Sequence, residues 1–170
     1  KPGERQELYV DLSGTFDISR PGDYTVAARV QVGTRIYDSV TQLIEVVNGI
    51  EILRVERNVP GDPGRFFVYS LRYWSREEAE YAFLRIDDLD TGVNYGVFLL
   101  GNIVRVAAPI LKVDREGVLN VVHQSGKDRY TRTVFKVTGR GVRLQDQMYQ
   151  FADGRPYPSV VKPLDIPLDE

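Results

Sequence analysis

Residues 16–32 read FDISRPGDYTVAARVQV, and the fold turns on the run that begins after the Pro21-Gly22 step. From Tyr24 onward apolar and polar residues alternate: Tyr24, Val26, Ala28, Val30 and Val32 share one parity, with Thr25, Arg29 and Gln31 on the other. Successive side chains of an extended chain point to opposite faces, so this pattern predicts a half-buried β-strand. Leu8, Val10 and Leu12 precede it in the same rhythm, and Phe16 and Ile18 continue the apolar set. After it, RIYDSVTQLIEVV (35–47) predicts a further strand rich in β-branched residues, closed by Asn48-Gly49, a strong turn signal.

The same period runs on to residue 150. Strands are predicted at IEILRVE (50–56), RFFVYSLRYW (65–74), EYAFLRID (80–87), NYGVFLLG (94–101), ILKVD (110–114), VLNVVHQ (118–124), RYTRTVFKV (129–137) and VRLQDQMYQ (142–150). Turn chemistry separates them: Pro60-Gly61-Asp62-Pro63-Gly64, Asp90-Thr91-Gly92, Arg115-Glu116-Gly117, Ser125-Gly126-Lys127-Asp128 and Gly139-Arg140-Gly141. SREEAEY (75–81) reads as a hairpin loop rather than a helix. Turns spaced about 8–14 residues apart point to an all-β, antiparallel β-sandwich. The expected organisation is an immunoglobulin-like segment at 1–49, a larger β-meander at 50–150, and a tail at 151–170. Pro156, Pro158, Pro163 and Pro167 are expected to keep that tail extended and outside any ladder. YWSREEAEY and HQSGKDRY echo one another, as hairpin-rich chains commonly do.

Composition excludes several classes of function. The 170 residues carry 22 Lys and Arg against 24 Asp and Glu, without the basic excess that neutralises a phosphate backbone, so nucleic acid is not an expected partner. The absence of cysteine excludes thiolate nucleophiles, Cys-based zinc sites, iron–sulfur clusters and disulfides. No stretch reaches the roughly 20 apolar residues of a membrane-spanning helix. KPGERQELYV (1–10) lacks a signal-peptide pattern, which fits either a cytosolic chain or a mature or trimmed one. The second is favoured, with an extracytoplasmic (periplasmic or secreted) location.

The stretch DISRPGDYTVAARV (17–30) resembles the corner between sheets of immunoglobulin-like and fibronectin-type-III-like sandwiches, over residues 8–47. That resemblance implies that Tyr24 packs into the core while its hydroxyl bonds to backbone between Asp17 and Pro21, that Ile18 is its apolar partner, and that Pro21 and Gly22 make the turn. It further implies an extracytoplasmic module for adhesion, spacing or ligand binding.

Chemistry-bearing motifs are sparse. Leu89-Asp90-Thr91-Gly92 contains the Asp-Thr-Gly of aspartic proteases, but Asp87 and Asp88 stand before it where apolar shielding is expected, so it reads as a β-turn. Asp88 and Asp90 with a backbone carbonyl offer a candidate cation site, though the EF-hand spacing fails, and no cofactor is expected. The only histidine, His123, alternates with Leu119 and Val121 and reads as a satisfied strand residue. Phosphate-loop, dinucleotide and nucleophile-elbow motifs are absent from the sequence.

Aromatic residues are in surplus. Phe66, Arg72 and Trp74 share one parity of their strand, and Tyr81, Phe83 and Arg85 share one parity of the next. Together they form either an aromatic and arginine face suited to a protein or sugar surface, or a face covered by a second sheet. Residues 66–69, apolar on both parities, favour the covered alternative. The expected function is a non-enzymatic structural or interaction module of a bacterial extracytoplasmic protein. The runner-up is carbohydrate binding through Trp74 and Tyr81, and the third reading is a hydrolase using the carboxylates of the Asp87–Asp90 turn.

Overall fold

The computed structural model describes residues 9, 10, 12, 16, 18, 20–76 and 78–158, and these are all-β without a helix. The chain divides into two compact units, residues 1–48 and 49–170.

The first unit contains β1 (Gly22–Val26), β2 (Arg29–Val32), β3 (Arg35–Asp38) and β4 (Gln42–Val46). β2 pairs with β3 across a tight turn at Gly33, and β1 pairs antiparallel with β4. Each of the two predicted strands, 24–32 and 35–47, is therefore broken in the middle. Ala27 and Ala28 on one arm face Ser39, Val40 and Thr41 on the other, and this odd residue interrupts the ladder as a bulge does. Ser39 bridges the gap, its Oγ accepting from the Ala28 amide at 2.8 Å and its own amide donating to the Ala28 carbonyl at 2.9 Å.

The Tyr24 hydroxyl donates to the Arg20 carbonyl at 2.7 Å, inside the expected stretch. Its burial differs from expectation: Tyr24 and its cross-strand partner Ile44 are only half-buried, and Val30 and Val32 on β2 are 51% and 63% exposed. A two-stranded ribbon supplies no second layer, so the apolar parity of this stretch remains partly in water. Ile18 is half-buried, and Pro21 and Gly22 are exposed where β1 begins. Leu8 and Asp17 lie outside the described residues.

The second unit is two four-stranded antiparallel sheets, loosely packed against one another. One runs β5 (Ile50–Val59), β6 (Asp62–Arg76), β7 (Ala79–Asp88) and β8 (Asn94–Asn102) in chain order. The other is β9 (Ile110–Val113), β10 (Val118–Gln124), β11 (Tyr130–Thr138) and β12 (Gly141–Gln150), with β12 and β9 at its edges. All eight lie where the period-2 runs predict them. The tail departs from expectation at its start, because Gln150 bridges Pro156 and the Tyr157 amide donates to the Tyr149 carbonyl at 3.0 Å. Proline lacks an amide, but its neighbour's amide supplies the bond, so 151–157 turn back on β12. Residues 159–170, with Pro163 and Pro167, lie outside the described residues.

Alternation selects the core. Phe67, Tyr69 and Leu71 of β6, Ala82, Leu84 and Ile86 of β7 and Leu100 of β8 join Leu111 of β9, Leu119 and Val121 of β10, and Phe135 and Val137 of β11 in one buried cluster. Each large apolar side chain in it contributes roughly 1.5–3 kcal/mol when fully buried. Phe98 and Phe135 meet across the sheets with ring centroids 4.9 Å apart. Gly117, in the turn between β9 and β10, has φ +79°, and a Cβ there would lie 2.4 Å from the Val137 carbonyl oxygen and 2.6 Å from Pro60 Cγ, so only glycine lets that turn close.

Candidate functional site

The ladder between β6 and β7 places Arg72 opposite Phe83, Trp74 opposite Tyr81 and Ser70 opposite Arg85. Arg72, Trp74, Tyr81, Phe83 and Arg85 thus share the sheet face turned away from the core, and all five are half-buried. Phe66 has the same parity but stands eight residues along β6 from Trp74, about 27 Å at the usual strand rise, and is not part of that group. Between them Val68 and Ser70 are buried although they face outward. They lie between two ion pairs on the flanking strands, Arg54–Glu56 at 2.9 Å on β5 and Arg85–Asp87 at 2.7 Å on β7, whose long side chains flank them on both sides. The middle of this face is thus flanked by charged pairs, and the aromatic residues around Trp74 at its end are half-buried. Glu51 of β5 pairs with Arg72 at 3.1 Å, so the arginine that flanks the aromatics is held in place.

Period 2 separates the acidic residues of the Asp87–Asp90 turn. Asp87 faces outward, accepting from Arg85 and, at 2.9 Å, from the Asn94 side-chain amide. Asp88 points to the other face and is buried, which corrects the expectation of a solvated turn. Its Oδ1 accepts from the amides of Asp90 at 3.0 Å and Thr91 at 2.9 Å, and its Oδ2 accepts from the Arg65 Nε. The Thr91 amide first, then the Arg65 guanidinium, hold the Asp88 carboxyl down at about 2. Arg65 goes on to donate to the Tyr95 hydroxyl and, at 3.2 Å, to the Gly139 carbonyl of the β11–β12 turn, joining the two sheets. Its guanidinium also lies 5.2 Å from the Phe67 ring centroid. Asp90 is exposed at the turn tip. Asp88 and Asp90 are thus not brought together as donors, since both Asp88 oxygens are already committed. Among the described residues no group of three or more His, Cys, Asp or Glu is arranged to hold a metal.

His123 is 1% exposed, and its Nε2 lies 3.1 Å from the Asn102 carbonyl oxygen. Burial pushes its pKa down to about 4, against a smaller opposing effect of that carbonyl, so the ring is neutral at pH 7. It belongs to a polar band that no sequence motif marks. On the inward face of the second sheet, Thr131 stands opposite His123 and Thr133 opposite Gln147, all buried. The Gln147 Nε2 donates to the Leu100 carbonyl at 3.2 Å and to the Thr133 Oγ at 2.9 Å. Leu100 and Asn102 lie on β8, the edge of the first sheet, so Gln147 and His123 meet carbonyls of a strand that, among the described residues, has no neighbour on its outer side. The signal available in the sequence is the pair of threonines at core parity in RYTRTVFKV. On β6, burial alone raises the Tyr69 phenol to about 12.

The chemistry on offer is recognition by rings and fixed arginines on one outer face, with the histidine and Asp88 given over to holding the sheets. No protein-family model matches this chain, no curated protein matches it, and no solved structure matches it.

Proposed function

We propose that this chain is a non-enzymatic interaction or structural module of a bacterial extracytoplasmic protein, an immunoglobulin-like segment followed by a larger β-sandwich. Its binding surface in this reading is the outer face of β6 and β7. The observation that carries it is the cross-strand cluster of Trp74 with Tyr81 and Arg72 with Phe83, half-open on a sheet face whose arginine is already fixed by Glu51. Rings and arginines prepared in this way lose little conformational freedom on binding and dominate the energetics of protein contacts. The non-catalytic part of the reading is supported by the state of the candidate bases: Asp88 is ion-paired and strongly acidic, and His123 is buried and neutral. The extracytoplasmic placement rests on the resemblance of residues 8–47.

Carbohydrate binding is the second reading, favoured by the same Trp74 and Tyr81 pair, because stacking on a sugar face needs adjacent accessible rings. Trp74 is the only tryptophan, so intrinsic tryptophan fluorescence reports on this face alone. A ligand that occupies it should shift or quench that emission saturably, and Tyr81→Ala should weaken its binding about tenfold or more with the far-UV circular dichroism unchanged. Saturation by soluble polysaccharides would favour the second reading. Saturation by a protein partner, with none by polysaccharides, would favour the first, and partners or glycans that bind while Trp74 emission stays constant would overturn both.

A further inference from the structure

The outer faces of the two sheets of the second unit differ in charge. The strands of the first sheet carry six basic and six acidic residues, and on its outer face Arg54, Arg72 and Arg85 each have a carboxylate partner. The strands of the second carry Lys112, Arg132, Lys136 and Arg143 against the single acid Asp146. Lys136 and Arg143 stand directly opposite one another across β11 and β12, a like-charge pair that costs stability in a ladder. Beside them the hairpin turn adds Arg140. These three cations line an open groove of about 700 Å³, with Thr138, Val142 and Leu144 among its other walls. Lys136 donates to the Glu116 backbone carbonyl, and among the described residues neither Arg140 nor Arg143 has a side-chain hydrogen-bond or carboxylate partner.

From this we infer that the groove at the β11–β12 hairpin binds an acidic peptide segment. Carboxylates of the peptide pair with Arg140, Arg143 and Lys136, which the ladder and the hairpin turn bring together. Guanidinium groups match carboxylates two bonds at a time, and bringing an anion between Lys136 and Arg143 removes the repulsion that the empty ladder carries. A glycan fits less well, because no aromatic ring lines the groove to stack on a sugar. An extended peptide suits an open groove along an edge strand, where Arg143, Leu144, Gln145 and Asp146 are all exposed. The site is on the other sheet from Trp74 and does not depend on it.

Fluorescein-labelled poly-L-glutamate, titrated at low ionic strength and followed by anisotropy, is the test. Saturable binding is expected, weakened about tenfold or more in the Arg140→Gln, Arg143→Gln double variant and by less than about twofold in an Arg115→Gln, Lys127→Gln control that removes the same charge from other turns. The double variant should melt no lower than the parent, since it relieves repulsion, and Arg140→Gln alone, at an exposed turn, gives an independent reading should the pair misfold. Absence of binding, equal weakening in variant and control, or binding of labelled heparin fragments in preference to poly-L-glutamate would each overturn the assignment.

Discussion

Two buried titratable residues, His123 and Asp88, contribute to how this protein responds to acid, and they act in different pH windows. Folded His123 holds its imidazole neutral down to about pH 4, while in the unfolded chain it takes up a proton near 6.5. The unfolded state therefore binds more protons between those limits, and stability falls as pH falls through them, by about 3 kcal/mol in all, then levels off for this group. Asp88 has the usual carboxylate sign: its depressed pKa contributes stability above the unfolded value near 4, lost as pH falls towards about 2. Because His123 is the only histidine, urea unfolding at a series of pH values from 7 to 4 should show a slope that His123→Gln largely removes. A slope that survives in the variant would place the titration elsewhere. Alternation alone puts His123 at a core parity of its strand. The same alternation puts Asp88 in step with Ala82, Leu84 and Ile86, but a carboxylate beside a turn reads as solvated until the Arg65 guanidinium and the Asp90 and Thr91 amides that satisfy it are seen.

At the level of strands and sheets, the edge of the first sheet is managed by side chains of the second. Among the described residues β8 has no strand on its outer side, and Gln147 and His123 reach the carbonyls of Leu100 and Asn102. A buried carbonyl left without a donor costs about 1–3 kcal/mol, so Gln147→Leu, which also strips the Thr133 hydroxyl of its donor, should lower unfolding stability by that order with an unchanged denaturant slope in urea. Stability equal to the parent would mean that the tie contributes nothing. The positions of β5 to β12 were legible because strand and turn signals are local, whereas the partner of a buried glutamine on β12 lies 47 residues back along the chain. The same locality explains why the broken strands of the first unit were not anticipated. Alternation continues unbroken through Tyr24 to Val32, and the break at Ala27-Ala28 arises only from the extra residue on the opposite arm.

Over the molecule as a whole, burial is unevenly distributed. Every fully buried residue among those described belongs to the second unit, and Val30, Val32, Ile36, Tyr37, Val40 and Leu43 of the first are all more than half exposed. Amides of β1 to β4 should therefore exchange with deuterium through local opening, well before those of β6, β7, β10 and β11, which need the common core to come apart. Equal protection in both units would show that the first is held by contacts beyond its own strands. The arginine and aromatic face was partly legible, since parity within each strand is set by residue spacing. That Trp74 meets Tyr81 while Phe66 is left at the far end is a matter of register, which depends on turn length and inter-strand pairing. Strand positions, turns and the parity of each side chain could be read from the chain without any coordinates, because alternation and turn residues act within a few positions of one another. Which polar groups are enclosed with partners and which cations remain unpaired emerged with the folded arrangement alone, because each depends on which strands lie side by side and which sheet covers which.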